Sequence, residues 1–185
     1  MTANLWFLAA SLWQVAAVPP PVAQESADCT HPVYATDTLV CEDPALLALD
    51  RRLVAVLASA PAQTAPGVFI EDQGAWFRRS RLCAFRADHP ACAAQAYLDR
   101  IAVLSMLTSP LPVTIGSCLH GETVAVAAED HLVLVLARGG QAMAVATRAG
   151  GAWQPFVSYR RSGRSITFRN LGGEVIARCI AMRKS

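Results

Sequence analysis

The chain has 185 residues, 54% of them hydrophobic and 16% charged, with a formal net charge of +2. That composition excludes an intrinsically disordered chain. So small a charge, without a recognised nucleic-acid motif, argues against DNA or RNA as a partner. The length allows one domain or two small ones.

Residues 1–23 carry no charged side chain. An apolar run from Leu5 to Val18 is short for a membrane span and ends in Pro19-Pro20-Pro21-Val22-Ala23. This is the layout of a secretory signal peptide, with cleavage expected near Ala23 and a retained anchor as the competing reading. Ser26-Ala27-Asp28 before Cys29 is not a lipoprotein cleavage motif, so a periplasmic or secreted protein without a lipid anchor is expected. Six cysteines in an exported chain favour disulfides over metal or catalytic thiols. Their pairing is formally open. Cys29–Cys41, Cys83–Cys92 and Cys118–Cys179 is preferred because it keeps each bond within one half of the chain.

Thr36-Asp37-Thr38 can start a short helix. Asp43 is a good N-cap and Pro44 suits a first helical position, with Leu46, Leu49 and Leu53 following at helical spacing to about residue 58. Residues 59–67 hold two prolines and a glycine, hence a loop. The next helix is expected from Phe69 to about residue 84, with Phe69, Gln73, Trp76, Phe77 and Ser80 on one face. Trp76 is read as core, its indole N–H satisfied locally. Asp88-His89-Pro90 breaks that helix, and a third spans about 91–107 with Tyr97, Ile101 and Leu104 as its apolar stripe. Arg100 beside Tyr97 reads as a bridge between helices. Pro110 and Pro112 end this part.

From Val113 the period changes to two. Strand-like runs are Thr123–Val126, Leu132–Leu136, Met143–Ala146, Phe156–Tyr159, Ser165–Phe168 and Glu174–Ala177, separated by turn pairs such as Gly150-Gly151 and Gly172-Gly173. The expectation is an α+β protein of two domains: a disulfide-pinned helical bundle over 24–110, then a small antiparallel barrel or meander over 111–185. Residues 24–110 carry ten acidic and seven basic side chains, a balance of −3; residues 118–185 carry four and nine, a balance of +5.

No catalytic chemistry is expected. The chain lacks a Gly-rich phosphate loop, a Gly-x-Ser-x-Gly elbow and paired metal histidines, and His31, His89, His120 and His131 are scattered. Cys29, His31, His89 and Cys92 fit no standard zinc spacing, so neither a metal nor another cofactor is expected. Arg160-Arg161-Ser162-Gly163-Arg164 reads as a basic hairpin tip, either a solvated turn or an attraction to anionic envelope polymers.

Cys29…Cys41-Glu42-Asp43-Pro44-x-Leu46-x-x-Leu49-Asp50, then Gln73-x-x-Trp76…Cys83…Cys92…Tyr97-x-x-Arg100-Ile101-x-x-Leu104, resembles the LprI-type lysozyme-inhibitor N-terminal domain over about residues 28–107. That resemblance implies an exported, cysteine-bridged helical unit, with Asp50, Gln73, Trp76, Tyr97 and Arg100 as motif residues. The second half more loosely resembles the membrane-bound inhibitor of c-type lysozyme family, a small barrel whose early and late strands are linked by a disulfide, as Cys118 and Cys179 would be. The family's inhibitory loop, Ser-x-Ser-Gly-x-x-Tyr, aligns with Thr147–Trp153: Thr147 keeps a hydroxyl, Gly150 matches, Trp153 replaces the tyrosine and Ala149 lacks the second hydroxyl. A later aromatic–Lys-Gly motif aligns with Phe168–Gly172, where Arg169 is the neighbouring cation and the lysine is missing. The resemblance implies a plug of Thr147, Gly150, Trp153 and Arg169 that enters the cleft of a lysozyme or another peptidoglycan-cleaving enzyme and hydrogen-bonds its carboxylates. The alternative is a non-inhibitory envelope module that binds peptidoglycan or an endogenous cell-wall enzyme.

Overall fold

The computed structural model describes residues 24–59, 69–108, 112–118, 123–129, 132–136 and 140–181. The expected signal peptide, most of the 59–67 loop, His120 and His131 lie outside these residues. Among these residues, four helices come first: α1 (Ala35–Glu42), α2 (Pro44–Ser59), α3 (Gln73–Ser80), which runs into a 3-10 turn (Arg81–Phe85), and α4 (His89–Thr108). Seven strands follow: β1 (Val113–Cys118), β2 (Thr123–Glu129), β3 (Leu132–Leu136), β4 (Ala142–Arg148), β5 (Ser158–Ser162), β6 (Ser165–Arg169) and β7 (Val175–Ala181). The protein is α+β.

Side chains set the helix starts. Asp37 is fully buried, and its carboxylate accepts from the Val33 and Tyr34 amides at 3.0 Å each, tying down the start of α1. Asp43 accepts from the Ala45 and Leu46 amides and Asp72 from the Ala75 amide, capping α2 and α3. The helix expected from Phe69 therefore begins four residues later. Phe69 instead pairs with β4, its amide donating to Met143 O at 2.7 Å, and its ring is 40% exposed. The other four residues of the expected face, Gln73, Trp76, Phe77 and Ser80, are buried. His89 and Pro90 do not precede α4 but form its first turn, because Pro is tolerated where helical N–H groups lack partners.

The helices close around Val40, Leu46, Leu53, Trp76, Phe77 and Tyr97, with Trp76 and Tyr97 edge to face at 5.3 Å. Disulfides Cys29–Cys41 and Cys83–Cys92 staple this unit, and Cys118–Cys179 joins β1 to β7. The strands form a closed barrel in sequence order, β7 pairing back onto β1. Six of the seven neighbour pairings are antiparallel.

The exception is β4–β5, a parallel pairing of two residue pairs, Thr147–Ser158 and Arg148–Tyr159. Gly150-Gly151 is thus not a hairpin turn, and Phe156 and Val157 precede β5 instead of opening it. Residues 149–157 form a crossover that returns the chain to run alongside β4.

Strand β3 explains how the halves sit together. Leu132 to Val135 are all buried, although a strand with one wet face would alternate. Val133 and Val135 point into the barrel core with Ile166 and Phe168. Leu132 and Leu134 face the other way, onto Met106 of α4, Ile70 and Val145.

Candidate functional site

The motif residues of the helical half form a polar lattice inside it. Arg100 donates to Gln73 Oε1 at 2.8 Å and to Glu71 O at 2.7 Å, and Gln73 in turn donates to Glu25 O at 2.6 Å. The Tyr97 hydroxyl donates to Asp50 Oδ1 at 2.9 Å, and the same oxygen accepts from the Ala27 amide. These bonds tie the segment before α1 to α2, α3 and α4. Burial lowers the Arg100 pKa, with Glu71, Asp72 and Asp99 opposing it, and burial next to Asp50 raises that of Tyr97. Asp50, Gln73, Tyr97 and Arg100 are all buried. Trp76 is core, as read from its spacing, but its indole N–H has no hydrogen-bond partner among the described residues.

The plug residues are placed differently from expectation. The 149–157 crossover docks on α4. Gln95 Oε1 accepts from the Ala152 amide at 2.7 Å and the Trp153 amide at 3.1 Å, while Trp153 Nε1 donates to Asp99 Oδ2 at 3.2 Å. The Arg79 guanidinium lies 3.9 Å from the centroid of the Trp153 ring, donates to Gln154 O, and is held by a two-bond ion pair with Glu71 at 2.8 and 2.6 Å. Trp153 is 7% exposed and belongs to the helical core, and Thr147 is 2% exposed. Neither side chain can serve at the tip of a plug, because the helices already cover both. Gly150 is exposed at φ +149°. Gly151, at φ +98°, passes so close to Gln95 that a Cβ would collide with its amide. Arg169 is exposed, donates to Gly173 O at 2.6 Å and stands apart from the other three.

Between α4 and the crossover lies a cleft of about 560 Å³. Thr147, Gly150 and Trp153 line it, together with Gln95 and Asp99, which sequence reasoning did not single out, and with Arg52 and Arg148. Burial raises the Asp99 pKa, with Thr147, Trp153 and Arg79 pulling it back down. The Thr147 hydroxyl is near enough to favour the Asp99 charge, yet it forms no hydrogen bond of proper geometry. Asp99, Thr147 and Pro155 also border a recess of about 20 Å³, lined in addition by Trp76, which adjoins the cleft. Its size is that of a single water. Among the described residues, no group of three or more His, Cys, Asp or Glu is arranged to hold a metal ion.

Over 86 residues the chain is 33% identical to "Lipoprotein LprI" of Mycobacterium bovis and to proteins of the same name in two strains of Mycobacterium tuberculosis. The chain is similar to LprI. The matched stretch is 46% of this chain and 44% of LprI, so the chain spans less than half the length of the curated relatives it matches. No protein-family model matches, and no solved structure does. Among the described residues, no helix is long and apolar enough to cross a membrane.

Proposed function

We propose that this is an exported cell-envelope binding protein of the lysozyme-inhibitor kind, acting by occupation of a partner and not by catalysis. The similarity to LprI carries this reading, together with what the LprI-type resemblance implies. Three disulfides support it physically, because a cross-linked scaffold loses little entropy when it docks.

Since Thr147 and Trp153 face inward, the plug is reassigned to the β5–β6 hairpin. Its tip carries Arg160, Arg161 and Arg164 around the Ser162-Gly163 turn, all exposed. Arginines on a rigid hairpin suit the paired carboxylates of a glycosidase cleft, which they can meet through two parallel hydrogen bonds. The mature protein is expected to slow lysis of a cell-wall suspension by a c-type lysozyme, and Arg160→Glu with Arg161→Glu to relieve the inhibition. Undiminished lysis at large molar excess would reject the reading for that enzyme class. The inward docking of the 149–157 crossover favours a second reading, a non-inhibitory envelope module, which then predicts retention on peptidoglycan without an effect on lysis.

A further inference from the structure

We propose that the cleft between α4 and the 149–157 crossover is a binding site for a short, extended acidic peptide. The proposal is independent of lysozyme inhibition. It rests on four features of the cleft.

The first is size and shape. At about 560 Å³ the cleft is in the range of ligand sites. Its α4 wall runs from Gln95 to Met106, about 16 Å of helix axis, the length of four or five residues of extended chain.

The second is charge at the rim. Arg52 of α2 and Arg148 at the end of β4 both line the cleft, and both are exposed. Neither has a hydrogen-bond or ion-pair partner among the described residues. Two guanidinium groups without a partner among the described residues, one from α2 and one from β4, suit carboxylates.

The third is unspent polar capacity on the floor. Thr147 is 2% exposed and lines the cleft, and its hydroxyl, near enough to Asp99 to favour that charge, forms no hydrogen bond of proper geometry among the described residues. Asp99 beside it receives the Trp153 indole on Oδ2 at 3.2 Å. Hydroxyl and carboxylate together suit the N–H groups of a peptide backbone, while the rim arginines take its carboxylates.

The fourth separates a peptide from a glycan. Sugars bind by stacking on an open aromatic face, and among the described residues Trp153 is the sole aromatic lining the cleft. Its ring is covered by Arg79 at 3.9 Å. The walls are instead aliphatic, from Leu98, Ala102, Met106 and Leu132, and accept small apolar side chains.

The test uses the full mature chain with disulfides intact and a fluorescein-labelled Ala-Glu-Ala-Ala peptide with a free C-terminus, followed by fluorescence anisotropy. Saturable binding is expected. It should weaken at least tenfold for the neutral Ala-Gln-Ala-Ala amide, and at least tenfold for the Arg52→Glu, Arg148→Glu double variant. Both arginines are exposed, so the variant's melting temperature should match that of the parent. Thr147→Val is expected to weaken binding several-fold without lowering the melting temperature. Absence of saturable binding by the free-acid peptide would overturn the proposal. So would equal affinity for the neutral amide or in the charge-reversed variant, or displacement of the peptide by a neutral tetrasaccharide of N-acetylglucosamine.

Discussion

Trp153→Ala separates an inward-docked crossover from a solvent-facing loop. The substitution removes a side chain that is 7% exposed and packed in the helical core, the indole bond to Asp99, and the ring under Arg79. Trp-to-Ala changes in cores cost about 3–5 kcal/mol, and the lost Arg79 contact adds on the order of 0.5–1 kcal/mol. The contributions overlap, since one side chain makes all three, so a total near 4 kcal/mol is the reasonable expectation. For a chain of this size that lowers the thermal midpoint by roughly 10 °C. Urea unfolding of the oxidised protein, followed by circular dichroism at 222 nm, measures it. Trp153→Phe should recover more than half of the loss, because most of the apolar area stays and only the N–H bond goes. A surface loop of the plug type would change stability by only about 0.5 kcal/mol on the same substitution. A Trp153→Ala variant within that margin would refute the docking.

Three further outcomes follow from the same geometry. Replacing Cys118 and Cys179 together by serine should destabilise the chain by about 4 kcal/mol, since a bond across 61 residues restricts the unfolded ensemble strongly; calorimetry of the full chain checks this. Gln95→Ala leaves the Ala152 and Trp153 amides without their acceptor and should cost about 1–3 kcal/mol, with faster hydrogen exchange confined to residues 149–157. Asp99 has a folded-state pKa raised above 3.8, chiefly by burial, so the folded state binds its proton more tightly than the unfolded state. Its contribution therefore improves as pH falls through the raised value towards 3.8, and Asp99→Asn should remove that rise and leave the protein at least as stable as the parent at pH 7; a larger pH dependence in the variant would contradict the assignment.

The helical half was largely readable from residue spacing because its contacts are local or between stripes of fixed period. Asp43-Pro44 announces α2, and Trp76 and Tyr97 mark the faces that meet. Phe69 escaped because an aromatic residue four before Gln73 fits a helix stripe as well as it fits the edge of a strand. Only the cap at Asp72 and the bond to Met143 decide between them. The strands were legible as alternations, but β3 reads the same whether one face or both are covered, so the packing of α4 on the barrel was hidden. The crossover was the least legible element. Gly150-Gly151 looks like any hairpin turn, and what bends it inward is Gln95 and Asp99, 57 and 54 residues away along the chain. Polar residues on an amphipathic helix carry no mark of the partner they will meet.

The narrow β4–β5 junction makes the ring of strands dependent on its neighbour. Two residue pairs close it there, and much of the span leading into it is held by α3 and α4, through Arg79, Gln95 and Asp99. Cut free of the helices, the strands would part first at this point and bare a pair of unsatisfied backbone edges. A fragment of 111–185 should therefore self-associate in solution, and adding back the helical fragment should disperse it.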